Sequence, residues 1–183
     1  MSPAQKSSLH IIITGGTIDS YYDGTKDTVV PRKQSIVPQY CHNLHLSDKP
    51  RFSTVCMKDS RHLTTRDVSS VLRLIEKSPE KKIIVTHGTY TIPDTARYLR
   101  RHLRRRDCTV VLTGSMEPID FALSDGGFNL GFAFAQVSVL PPGVYVCMNG
   151  RVFDPDDVIK IIYEGRFSSL MGESSSRPQT GKK

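Results

Sequence analysis

Read as apolar and polar positions, the chain repeats one pattern. "IIITGGT" (residues 11–17), "IIVTHGTYT" (83–91), "VVLTGS" (110–115) and "VYVCMNG" (144–150) each pass from an apolar run into glycine and small polar groups. Continuous rather than alternating apolar runs predict strands of a sheet covered on both faces. Strands are predicted over residues 9–14, 52–57, 83–86 and 109–113. Between them lie stretches with helical spacing. In "TTRDVSSVLRLIEKSPE" the stripe is Val68, Val71, Leu72 and Ile75, with Thr64 three residues before Asp67 as a capping box and Pro79 past the end. After "HGTYT", the residues Ile92, Ala96, Leu99 and Leu103 form a second stripe, with Thr91 as the predicted cap, Pro93 in the first turn and Asp94 at the third position. Residues 128–139 predict a helix weakened by glycine, and "VYVCMNGRVF" a hairpin turning at Asn149-Gly150. "FDPDDVIKIIYEG" reads as a last short helix, "DSYYDGTKD" as a loop, and the stretch from there to about Lys49 carries little pattern.

Strands alternating with helices predict an α/β fold: three layers around a mostly parallel, doubly wound sheet, in a single domain. The domain is expected over residues 9–168, between a flexible N-terminal tail (1–8) and a disordered polar C-terminal tail (169–183). The 183 residues suffice for one real core. No apolar run reaches the roughly 20 residues of a membrane span, and "MSPAQKSS" holds no hydrophobic signal core, so a cytoplasmic protein without membrane contact is expected. The cysteines Cys41, Cys56, Cys108 and Cys147 are scattered and read as free thiols. The net charge of +7 is concentrated in "TARYLRRHLRRR", where the arginines fall opposite the apolar stripe. That is a solvated helix face, and nucleic acid is not the expected partner.

Ligands of open parallel sheets bind outside the carboxyl ends of the strands. Here that rule collects Thr14, Gly15, Gly16 and Thr17, then Asp59 and Ser60, then residues 86–90, then Thr113 to Ser115. Gly15 and Gly16 allow close backbone approach to a ligand. Thr17 follows them, where its oxygen could attack a carbonyl while nearby amides stabilise the oxyanion, or where it could simply close a turn. "TGGTID" lacks the spacing of a dinucleotide fingerprint, and no Gly-Lys-Ser/Thr marks a phosphate loop. "CHNLH" (Cys41, His42, His45) has ligand-like spacing but no second pair, so no metal and no cofactor is expected.

Taken together and in order, "TGGTI", "THGTxT…TA", "VVLTGSM.P…SDG..N" and "LPPGVYVCMNGRVFDPDDV" resemble the bacterial-type L-asparaginase family, from Leu9 to about Phe167. The resemblance implies a three-layer α/β fold, a small amide substrate such as L-asparagine, and a homo-oligomer, dimer or tetramer. It assigns Thr17 as the nucleophile and Tyr22, on a mobile loop, as its assistant. Asp59 and Ser60 would hold the substrate's α-carboxylate, and Thr89 would be the second active-site threonine, with Gly16 and Gly88 lining the site. It also implies an aspartate where this chain has Tyr90 and a lysine where it has Cys108, the two charged members of a relay with that second threonine. Two functions stay open: an amidohydrolase of weakened or altered activity working through Thr17, Tyr22 and Thr89, and a non-catalytic binding protein on the same fold.

Overall fold

Six strands form the central sheet of the computed structural model, which describes residues 9–171. In chain order the elements are β1 (Leu9–Gly15), β2 (Ser20–Asp23), β3 (Thr28–Pro31), α1 (Val37–Asn43), β4 (Arg51–Lys58), α2 (Thr65–Lys77), β5 (Lys82–Thr86), α3 (Ile92–His102), β6 (Thr109–Thr113), α4 (Gly126–Val139), β7 (Gly143–Met148), β8 (Arg151–Phe153), β9 (Val158–Ile161) and β10 (Arg166–Ser169). The sheet runs β4-β1-β5-β6-β7-β8 and is parallel except for β8. Two antiparallel pairs, β2–β3 and β9–β10, stand outside it.

Strand side chains alternate between faces, and that period sorts the core into two layers. Ile12, Ile83, Val85, Val110 and Leu112 pack with Val71 and Ile75 of α2 and with Ala96 and Leu99 of α3. Ile11, Ile13, Ile84 and Val111 pack with Val37 of α1 and with Leu130, Ala133 and Val137 of α4. The expected three-layer α/β architecture is therefore present. The helix α2 begins with the expected box: the Thr64 hydroxyl accepts from the Asp67 amide and the Asp67 carboxylate accepts from the Thr64 amide. Asn149 and Gly150 turn the β7–β8 hairpin with φ of 53° and 72°.

Several expectations fail for local reasons. "FDPDDVIKIIYEG" is not a helix: the Asp154 side chain and carbonyl accept from the amides of Asp156 and Asp157, making a turn, after which Val158–Ile161, β-branched at every position but Lys160, pairs with β10. "DSYYDGTKD" forms most of the β2–β3 hairpin, and the weakly patterned stretch after it holds α1. Thr91 holds the N-cap position of α3, but its hydroxyl makes no capping bond and instead donates to the Ser60 carbonyl at 3.2 Å. The helix ends at His102, so Arg104, Arg105 and Arg106 lie beyond it rather than on its face. The ordered chain also passes residue 168. Ser169 Oγ and the amides of Leu170 and Met171 all donate to Asp157. The tail expected at 1–8, and residues 172–183 of the one expected at 169–183, fall outside the described residues. Among the described residues no helix is long and apolar enough to cross a membrane.

Candidate active site

The chain runs from β1 out to β4 at one edge of the sheet, then returns to β5 on the other side of β1. This reversal leaves a crevice at the carboxyl ends of β1, β4 and β5, where ligands of such sheets bind. A cleft of about 140 Å³ lies there, lined by Gly16, Thr17, Asp59, Ser60, Arg61, Gly88, Thr89, Tyr90 and Lys160. At about 30 Å³ per water molecule, that volume suits a small molecule. Seven of the residues singled out in the sequence thus share one cleft.

Backbone contact explains the glycines. Gly16 has φ of 84°, and a Cβ there would stand 2.4 Å from the Gly88 Cα; a Cβ on Gly88 would stand 2.6 Å from the Ser60 Cβ. The three strand ends meet through these positions, with no room for side chains. His87, beneath them, is fully buried, and burial lowers its pKa to about 4. Neutral imidazole then donates from Nδ1 to the Gly88 carbonyl (2.8 Å) and accepts at Nε2 from Thr95 Oγ1 (2.9 Å). Its role is to fix the loop.

Thr17 opens a short 3₁₀ turn (Thr17–Asp19), half-buried, and among the described residues its hydroxyl has no hydrogen-bond partner. Asp59 is held by Arg61: Oδ1 accepts from the Arg61 amide and Nε, Oδ2 from Nη2 at 2.8 Å. These bonds keep its carboxyl below the usual range. Thr89 is buried, while Tyr90 is about half exposed at the mouth.

Sequence reasoning missed two lining residues, Arg61 and Lys160 of β9, and the Nζ of the latter donates to Thr89 Oγ1 at 2.7 Å. Burial pulls the Lys160 pKa below its usual 10.5, against the attraction of Asp125 and Asp59. One signal for it existed. In "VIKI", Lys160 is in phase with Val158, a buried position, so it faces inward. Such an amine can shed its proton and accept one from the threonine it touches.

Two residues are not brought to the cleft. Cys108 precedes β6, at the opposite end of the strand from Thr113, about 16 Å of strand away. It is buried, and burial pushes its thiol up. It therefore lies away from the Thr89 hydroxyl. Tyr22 sits on the β2–β3 hairpin with its hydroxyl donating to Asp27, and it is not among the residues lining the cleft.

Comparison with known proteins agrees with this fold. The family model described as "Asparaginase, N-terminal" matches residues 8–168. The chain is 32% identical over 165 residues to a probable L-asparaginase of Deinococcus radiodurans, covering 87% of this chain and 49% of that protein. It superposes on the thermostable L-asparaginase of Thermococcus kodakarensis with a TM-score of 0.74 at 28% identity, covering 88% of this chain and 50% of the other. L-asparaginase I of Vibrio cholerae gives 0.76 at 25% identity, with 90% and 52% covered. The chain spans about half the length of the relatives it matches.

Proposed function

From the premise that this chain belongs to the asparaginase family, we propose that it hydrolyses a small carboxamide to the carboxylic acid and ammonia in the cleft around Thr17 and Thr89. The observation that carries the reading is the Lys160 amine, 2.7 Å from the Thr89 hydroxyl and partly desolvated. A threonine hydroxyl attacks an amide only when a neighbour takes its proton. Lys160, once neutral, supplies that base through Thr89.

In this reading the Thr17 oxygen bonds to the amide carbon while its proton passes toward the Thr89–Lys160 pair. The C–N bond then breaks, the nitrogen takes up a proton, and ammonia leaves. Water cleaves the resulting Thr17 ester, returning the hydroxyl and releasing the free acid. Asp59, Ser60 and Arg61 line the side of the cleft where the rest of the substrate lies. A base of this kind is worth about 10²–10⁴-fold in rate.

A second reading makes Thr89 the nucleophile, because Thr89 is the threonine that contacts the amine. Ammonia release by Thr17→Ala and Thr89→Val, assayed beside the parent, separates the two. The first reading expects no release from Thr17→Ala and a thermal midpoint close to the parent's. Undiminished release from that variant, with loss in Thr89→Val, moves the nucleophile to Thr89. The non-catalytic reading rested on Tyr90 and Cys108, and it loses the second support, since Lys160 brings to Thr89 the amine that Cys108 lacks. Ammonia from no small amide would restore it.

A further inference from the structure

The charges around the cleft are lopsided. Among the described residues two basic side chains line it, Arg61 and Lys160, the latter a cation until it gives up its proton to act as base, against one carboxylate, Asp59. Asp59 is already paired with Arg61, which donates to both of its oxygens and offsets its charge. The other acid that bears on Lys160 is Asp125. Its oxygens already accept from the amides of Met116 and Glu117 and from Asn129 Nδ2. At the mouth stands Tyr90, which brings a phenol and no carboxylate.

We propose that this cleft selects a small amide bearing a carboxylate and no ammonium: the monoamide of a short dicarboxylic acid, hydrolysed with one water to the dicarboxylate and ammonium. The proposal rests on the amide-hydrolysis reading and names its substrate class. An amino-acid amide carries an ammonium and a carboxylate on one carbon, and each needs an opposite charge once desolvated. The carboxylate finds Arg61 and Lys160. The ammonium finds the same two basic groups, and among the described residues the carboxylate lining the cleft, Asp59, already has its charge offset by Arg61. Removing the ammonium removes that repulsion and leaves the carboxylate contacts and the amide in place. The volume of about 140 Å³ fits a molecule of this size.

The probe is succinamate, the asparagine skeleton without its amine, compared with L-asparagine by kcat/KM for ammonia release. The product pair, succinate and L-aspartate, is compared by calorimetry, which needs no turnover. The expected result is succinamate ahead by at least tenfold and succinate binding more tightly than aspartate. Tyr90→Asp, a change at a half-exposed position, should narrow or reverse both ratios by supplying a carboxylate. Release from both amides with asparagine equal or preferred overturns the selection and leaves amide hydrolysis standing. Release from neither, with succinate still ahead of aspartate, overturns amide hydrolysis and keeps the selection. Equal binding of the two acids, or ratios unmoved by Tyr90→Asp, overturns the selection.

Discussion

At the scale of single residues, the chemistry turns on an amine that is costly to keep charged. Burial lowers the Lys160 pKa, so the neutral form appears at lower pH than for a free lysine. Turnover should therefore rise with pH along a limb whose midpoint lies below the usual 10.5, and Lys160→Met should reduce kcat by about 10²–10⁴-fold with little loss of thermal stability. A Lys160→Met variant that keeps parental turnover, or a limb at the ordinary lysine value, would contradict this. Cys108→Lys tests the alternative placement. It buries a cation at the far end of β6, so the thermal midpoint should fall steeply with no gain in turnover. A stable variant with raised turnover would put the relay back at Cys108. Gly16, Thr17, Asp59, Ser60, Gly88, Thr89 and Tyr90 were legible in sequence because glycines and hydroxyls at strand ends have few other uses. Lys160 was not, because 71 positions separate it from Thr89 and only the folded hairpin joins them.

At the scale of elements, the β9–β10 hairpin decides where that amine sits. Its inner face is Val158 and Phe167, both buried against the layer that holds α3. Asn149, at the turn of the neighbouring hairpin, accepts from the Phe167 amide through Oδ1 (2.9 Å), and its own amide donates to Asn129 Oδ1 (3.0 Å). The route from α4 to Lys160 is thus a chain of amides, from buried Asn129 through exposed Asn149, and one aromatic ring. Phe167→Ala should cost about 3–5 kcal/mol and lower turnover even where the variant remains folded, since Lys160 loses its platform. Full activity at a temperature where circular dichroism shows native structure would contradict that. The buried strands and α2 were legible because their periods are unmixed and their caps explicit. The two outlying hairpins were misread because each depends on tertiary partners. "VIKI" is too short to declare its period, and the apolar face of β2–β3 is sparse.

At the scale of the whole molecule, buried ionisable groups set the response to acid. Burial holds His10 and His87 at about 4, below the usual 6.5, with Arg51 adding to the effect on His10. As pH falls below 6.5 the unfolded chain binds protons that the native chain refuses, so stability should decline from about pH 6.5 to about 4. Glu80, held at about 2 by Arg51 and Ser78 against the effect of burial, and Asp67, held at about 2 by Lys58, extend the loss as pH falls further. A thermal midpoint constant from pH 7 to 4 would contradict these assignments. Leu123, Phe128, Val139, Ile162, Tyr163 and Leu170 leave apolar surface open on one chain. Light scattering at micromolar concentration should accordingly return a mass well above the 20.5 kDa of a monomer, and a monomeric mass would contradict self-association. The claim that everything else depends on is that the Thr89–Lys160 pair drives amide hydrolysis. The most direct measurement is ammonia release from succinamate and L-asparagine across pH, by the parent and by Lys160→Met. Release by the parent on an alkaline limb below the free-lysine value, lost in the variant, is the predicted result. No release by the parent, or equal release by both proteins, would contradict it.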